Sequence, residues 1–336
     1  MPKFLVIQTA FIGDVVLATA VAEKLHAYYP GSQIDFLLRK GNEGLLAGHP
    51  YLHQVLVWNK TTQKKRNLIR LIKQVRSARY DYVINLHRFA TSGIITWLSG
   101  AKHRYGFDKN PFSFGYTKTA RHIISDPYTT DPVHEIDRNQ SLIAGITDNE
   151  PAMPALYPSP ADEAAVRPYV KGRYLCIAPS SVWFTKQFPA VKWAALINEI
   201  PGDYTIYLLG GKGDQAMADE IKAQVAHPGV ESLCGKLNFL QSAALMKGAV
   251  MNYVNDSAPL HFCSAVNAPV TAVYCSTVPA FGFGPVRPGG HVTEISERLY
   301  CRPCGLHGHK ACPEGHFKCA MNITNEQLLW WTSKAI

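Results

Sequence analysis

An aspartate stands at the first strand-to-helix turn of this 336-residue chain, where acid–base chemistry is easiest to build. Phe4, Leu5, Val6 and Ile7 form a short apolar run, followed by Gln8-Thr9-Ala10-Phe11-Ile12-Gly13-Asp14. Val15, Val16, Leu17, Ala20, Val21 and Leu25 then recur at helical spacing as far as Pro30-Gly31. Ligands of open α/β sheets bind beyond the carboxyl ends of the strands, so Asp14 falls where a site is expected. The turn has neither G-x-G-x-x-G nor G-x-x-x-x-G-K, which excludes a dinucleotide clamp or a P-loop. A carboxylate there repels phosphate and suits proton abstraction. The same residue could also cap the helix, a position Asp favours.

A second set of polar residues lies in the other half of the chain. Asn255-Asp256-Ser257 joins an apolar strand to a helix that begins Ala258-Pro259-Leu260-His261. Free N–H groups at such a helix start attract an anion, and His261 adds a donor one turn later. Asp256 must then turn its charge away from a phosphate, towards ribose or backbone amides. Gly210-Gly211-Lys212-Gly213-Asp214 ends another strand, and its glycines let a ligand approach the backbone. Trp183-Phe184-Thr185-Lys186-Gln187 follows a third strand. Lys186 reads either as an ordinary surface lysine or as a partner for a diphosphate.

Four of the eight cysteines form C-x₂-C-x₇-C-x₆-C at Cys301, Cys304, Cys312 and Cys319. Four thiolates could hold a structural zinc, although the second half lacks the usual C-x₂-C spacing. Free thiols and disulfides remain open alternatives. Cys176, Cys234, Cys263 and Cys275 sit in apolar stretches and read as buried thiols.

These residues need a frame that places them at strand ends. Strands are expected near 4–7, 34–38, 55–58 and 82–86 in the first half, with a helix starting in 93–98. Residues 106–133 read as loop, and 134–146 as helix. Prolines crowd 150–160 and mark a linker. The second half restarts with strands near 174–178, 204–209, 249–254 and 270–274, and helices over 193–200, 240–247 and from 260. Two βαβ arrays predict an α/β fold of two Rossmann-like domains, 1–155 and 165–336, facing across a cleft. The last helix is expected to pack back on the N-terminal domain.

Composition narrows the partners. Apolar residues make up 47% of the chain, enough for packed cores, and no run is long enough to span a membrane. The N-terminus lacks a signal-peptide pattern, so a cytoplasmic protein is expected. The net charge of +9 favours anionic partners. Between Lys60 and Arg79 lie eight basic residues, Lys64, Arg70 and Lys73 among them, and no acidic one. Leu68, Ile69, Leu71, Ile72 and Val75 alternate with them at helical spacing, giving a basic amphipathic helix. Its polar face is either a solvated outer surface or a membrane- or acceptor-facing one. Charge alone does not make a nucleic-acid site, and none is expected.

The ordered motifs resemble glycosyltransferase family 9, the ADP-heptose:lipopolysaccharide heptosyltransferases. They are Ile12-Gly13-Asp14-Val15-Val16-Leu17-Ala18-Thr19 with Tyr29-Pro30-Gly31; Tyr80-Asp81-Tyr82-Val83-Ile84-Asn85-Leu86; Thr185-Lys186-Gln187-Phe188-Pro189; Asn255-Asp256-Ser257-Ala258-Pro259-Leu260-His261; and Gly282-Phe283-Gly284-Pro285. The resemblance implies a GT-B fold, with acceptor on the N-terminal and nucleotide-sugar on the C-terminal domain. It also implies inverting, metal-independent transfer from an ADP-sugar to a lipopolysaccharide-core or lipid-linked acceptor at the inner face of the cytoplasmic membrane, where the protein would dock peripherally. No catalytic cofactor is implied. Asp14 becomes the general base. Thr185 and Lys186 correspond to donor-phosphate contacts, and Asp256, Ser257, Ala258 and His261 to the donor-binding helix start, with Gly210, Gly211 and Asp214 beside them. Gly13 and Arg88, with Lys64, Arg70 and Lys73, fall to the acceptor or membrane side. Gln8 replaces a frequent Arg or Lys, and Ala258 a usual glycine, which bears on donor choice. A nucleotide-binding module without chemistry and a GT-B sugar-nucleotide epimerase are the rival readings; the first would keep Lys186 and the Ser257 helix start but would not need Asp14.

Overall fold

The computed structural model describes residues 1–334. The chain divides into two compact units, one of residues 1–124 with 133–157 and one of 125–132 with 158–336. The main break, between 157 and 158, falls inside the proline-rich stretch. The short segment 125–132 belongs with the second unit, although it lies within the range expected for the first.

The first unit carries strands β1 (Lys3–Ile7), β2 (Gln33–Arg39), β3 (Gln54–Trp58), β4 (Tyr82–Asn85), β5 (His103–Phe107) and β6 (Lys118–Ala120). Its helices are α1 (Ile12–Tyr28), α2 (Lys64–Ser77), α3 (Ala90–Leu98) and α4 (Glu135–Ser141). The strands form one parallel sheet in the order β3-β2-β1-β4-β5-β6. A parallel sheet is covered on both faces, so its central strands are continuous apolar runs. Phe4 to Ile7 are fully buried accordingly. Leu71 and Val75 of α2 pack with Leu56, Trp58, Val83 and Ile95, so the apolar stripe of the basic helix belongs to the core.

The second unit repeats the plan with helices α5 (Pro160–Val166), α6 (Ala190–Glu199), α7 (Gln215–Lys222), α8 (Phe239–Lys247), α9 (Ala258–Val266), α10 (Lys318–Met321) and α11 (Asn325–Lys334). Its strands are β7 (Tyr174–Ala178), β8 (Thr205–Leu208), β9 (Val230–Ser232), β10 (Met251–Asn255), β11 (Val270–Tyr274) and β12 (Gly290–Glu294). They are all parallel, in the order β12-β11-β10-β7-β8-β9. Strand order reverses between β1 and β4 in one sheet and between β7 and β10 in the other. Those two switch points are where a doubly wound sheet opens a crevice for a ligand.

Several elements escape the sequence pattern. The stretch read as loop, 106–133, contains β6, an edge strand of three residues too short to show alternation. Helix α5 starts at the last proline of the linker, because Ser159 caps it and Pro160 occupies its first turn, where the missing N–H costs nothing. The short edge strands β9 and β12 are also only partly apolar. The last helix packs on α6 and β12 of its own unit, where Leu328 is fully buried in the core with Trp193 and Tyr253.

Candidate active site

In the first unit, helix α1 begins one turn past the end of β1 and carries Asp14 as its third residue. The Asp14 Oδ2 accepts the Phe11 N–H at 3.2 Å. Asp14 therefore does cap its helix. Burial raises its pKa to about 6, and the nearby Glu135 carboxylate adds to the rise. The N–H groups of Phe11 and Asp14 and the Arg88 guanidinium pull the other way. A carboxylate so placed stays ionised at neutral pH yet is more basic than an exposed one.

The neighbouring strand supplies the rest of this switch point. Thr9, after β1, and His87, after β4, meet through Thr9 Oγ1 and His87 Nδ1 at 3.0 Å. Asn85 fixes that turn: its Oδ1 accepts the His87 N–H at 3.0 Å, and its Nδ2 donates to the Tyr116 hydroxyl at 2.8 Å. Burial, with the cations Lys60 and Arg88, lowers the His87 pKa to about 4 and keeps the ring neutral. Glu135 opens α4, which packs along α1, and forms an ion pair with Arg138 at 2.8 Å. Its burial outweighs that cation and raises its own pKa. Sequence reasoning missed Thr9, His87 and Glu135. The first two follow the strand ends at the switch point, which is the signal that could have found them. Glu135 lies about 120 residues from Asp14 in sequence, and only packing relates them.

Of the acceptor-side residues, Gly13 lies beside Asp14 in the first turn, and Arg88 acts directly on its charge. Lys64, Arg70 and Lys73 lie on the exposed face of α2.

In the second unit, the loops after β7, β10 and β11 converge. Lys186 Nζ stands 2.6 Å from Asp256 Oδ2, with both side chains largely buried at 15% and 8% exposure. The Thr277 hydroxyl donates to the same Asp256 oxygen at 2.6 Å. Lys186 is thus no ordinary surface lysine. The expectation that Asp256 turns to ribose or backbone amides is corrected: its charge is met by Lys186 and Thr277, because the β7 and β10 loops are adjacent at the switch point. Asn255 ties the two loops together, its Oδ1 accepting the Phe188 N–H at 2.9 Å and its Nδ2 donating to the Pro179 carbonyl at 2.6 Å.

Ser257 is the N-cap of α9, but its hydroxyl donates to the Asn255 carbonyl at 3.3 Å instead of capping the helix. Ala258 is the first helical residue, and His261 is buried a turn along, with its ring against Phe283. The loop after β8 closes on itself. Asp214 Oδ2 accepts the Gly211 N–H at 2.7 Å, and a Cβ at Gly210 would stand 2.7 Å from the Asp214 Cβ. Gly210, Gly211 and Asp214 hold the shape of their own turn.

The four clustered cysteines line one cavity of about 390 Å³ together with His309, Glu314, His316, Thr185 and Ser276. Among the described residues, no three His, Cys, Asp or Glu side chains stand close enough to hold a metal ion. Burial and neighbouring thiols raise the Cys304 and Cys319 pKa values, that of Cys319 to about 12.

Two doubly wound α/β units, each with a six-stranded parallel sheet, are the architecture of the GT-B fold. The profile of glycosyltransferase family 9 (heptosyltransferase) matches residues 68–314, and the chain belongs to that family. It is 28% identical over 280 residues to lipopolysaccharide heptosyltransferase 3 of Escherichia coli, covering 80% of this chain and 82% of that one. The structure of E. coli ADP-heptose heptosyltransferase II superposes with a TM-score of 0.80 at 20% identity, covering 99% of this chain and 98% of the other. That of E. coli heptosyltransferase WaaC with ADP gives 0.76 at 17% identity, over 99% and 100%. Membership in a transferase family sets aside the epimerase and the module without chemistry.

Proposed function

We propose that this chain transfers a heptose, with inversion, from ADP-heptose to a sugar hydroxyl of a lipopolysaccharide-core acceptor. The observation that carries the reading is the Asp14 carboxylate, which accepts the Phe11 N–H at the β1 switch point and has its pKa raised to about 6. The names of the relatives supply the donor and acceptor, and WaaC, solved with ADP, supports the adenine nucleotide.

The acceptor hydroxyl is a weak acid that must lose its proton as it attacks the anomeric carbon. Asp14 takes that proton, a contribution of about 10²- to 10⁴-fold for a placed general base. The C–O bond to the nucleoside diphosphate breaks on the opposite face, which inverts the anomeric centre. Negative charge then grows on the leaving diphosphate. Lys186 and the N–H groups at the start of α9 offset it. Asp256 keeps Lys186 in place between turnovers. The test is product analysis with ADP-heptose, UDP-glucose and GDP-mannose and a heptose-deficient lipopolysaccharide core. Transfer from ADP-heptose alone is expected, and transfer only from a UDP-sugar would overturn the donor assignment.

The acceptor's lipid places it at a bilayer, and the first unit offers a surface for one. The exposed face of α2 carries Lys64, Lys65, Arg66, Arg70, Lys73 and Arg76. Next to it, α3 presents Trp97 in contact with Phe112 and the exposed Phe114. Basic residues beside aromatic ones suit an anionic headgroup layer. Vesicles containing phosphatidylglycerol should bind the chain in a salt-sensitive way, and the K64E/R70E/K73E variant should release them. Binding unchanged by both salt and charge reversal would remove this surface.

A further inference from the structure

The cysteine-bearing loop makes a contact that its thiols do not explain. The Thr185 N–H donates to the His309 carbonyl at 3.1 Å, and the His309 N–H donates back to Thr185 Oγ1 at 2.7 Å. The Ser276 hydroxyl donates to Thr185 Oγ1 at 3.0 Å, and the Ser276 carbonyl accepts the Cys304 N–H at 2.8 Å. Thr185 is fully buried by these contacts and immediately precedes Lys186. Gly308 allows the approach. It has φ +76°, and a Cβ there would stand 2.7 Å from Thr185 Oγ1, 3.1 Å from Ser276 Oγ and 3.2 Å from Lys186 Cγ. Thr185, Ser276 and His309 also line the cavity that the four cysteines line.

We propose that Gly308 and His309 position the Thr185–Lys186 turn for the donor diphosphate, so that the loop from Cys301 to Cys319 is a brace of the donor site. The inference rests on the reading of Lys186 as a diphosphate contact. The turn is one 3₁₀ turn of three residues, Phe184–Lys186, and such a short element does not hold its own geometry. The paired hydrogen bonds to His309 hold it, as neighbouring strands hold each other. Any displacement of the loop moves Thr185 and with it the base of the Lys186 side chain. Occupation of the thiol cavity, which Thr185 itself lines, should therefore weaken donor binding.

The experiment measures ADP affinity by calorimetry, together with donor and acceptor KM, for Gly308→Ala, Thr185→Val, Thr185→Ser and Lys186→Ala. Gly308→Ala and Thr185→Val should each raise the ADP Kd and the donor KM by about tenfold, the scale of one lost bond to a charged group. The acceptor KM should stay unchanged, a split that general loss of folding would not give. Thr185→Ser keeps the hydroxyl and should restore most of the affinity. The unmutated chain supplies a second arm through iodoacetamide, where a cysteine thiolate displaces iodide and becomes a thioether. Mass spectrometry locates the adducts. Modification at Cys301, Cys304 or Cys312 should weaken ADP binding while the circular-dichroism spectrum stays unchanged. Wild-type ADP affinity in Gly308→Ala, Thr185→Val and the alkylated chain, with affinity lost in Lys186→Ala, would overturn the brace and leave the donor reading intact. Unchanged affinity in Lys186→Ala would overturn the donor reading itself.

Discussion

The two units share one topology and surround its charged groups in opposite ways. Each sheet reverses strand order at its centre, and each places charged groups at that reversal. In the first unit the group is a carboxylate whose environment raises its pKa, with a second carboxylate, Glu135, nearby. In the second unit the carboxylate, Asp256, sits against a lysine and a hydroxyl. Surroundings that destabilise a negative charge make the carboxylate more basic. Surroundings that neutralise one hold it in an ion pair. The difference does not lie in the fold, which is the same twice. It lies in what surrounds each carboxylate: burial and Glu135 about Asp14, Lys186 and Thr277 about Asp256.

That contrast can be broken most strongly at the second switch point. Lys186→Ala leaves Asp256 buried beside Thr277 without its cation, and breaking a buried pair in this way costs on the order of 3 kcal/mol. The melting temperature should fall clearly, and ADP binding with it. The double variant Lys186→Met/Asp256→Asn should recover most of the stability and none of the ADP affinity. If the double variant bound ADP as the wild type does, the charge of Lys186 would have no part in the donor site.

The first switch point should answer to pH instead. Asp14 must be ionised to accept a proton, and its pKa lies at about 6. Activity should therefore rise with pH through about 6 and level off above it. Arg88 favours the ionised form, so Arg88→Gln should move this acidic limb to higher pH and lower the rate near pH 6. Glu135 opposes ionisation, so Glu135→Gln should move the limb the other way. A limb unmoved by both substitutions would separate it from Asp14.

The smallest effect belongs to the loop after β8, whose Asp214 bonds within its own turn. Gly210→Ala would push a Cβ against Asp214 and Cys234 and should lower stability by about 1–3 kcal/mol, as overpacking does. Denaturant melts would show it. ADP affinity at temperatures where the variant is folded should change little. A large, specific loss of ADP affinity would return this loop to the donor site.

The motif spacing was enough to read the class of fold, because central parallel strands are unbroken apolar runs that end in polar turns. Phe4–Ile7 and Tyr174–Ala178 show this plainly. Edge strands were not legible: Lys118–Ala120 and Val230–Ser232 are three residues each, two of them polar. Asp14, Thr185, Lys186 and Asp256 could be named as candidates because each follows a strand. Their partners could not. The pairing of Lys186 with Asp256 joins residues 70 apart, and the influence of Glu135 on Asp14 joins residues 121 apart. The charge of Asp256 looked like an obstacle to phosphate binding when read along the chain, and becomes a support once Lys186 stands beside it.

The division of labour between the two switch points is tested most directly by one crossed measurement. ADP affinity and the transfer rate at saturating donor would be determined for Asp14→Asn and Lys186→Ala in parallel. Asp14→Asn should bind ADP as the wild type does and lose about 10²- to 10⁴-fold in rate. Lys186→Ala should lose ADP affinity. Near-wild-type turnover in Asp14→Asn would contradict the account at its centre.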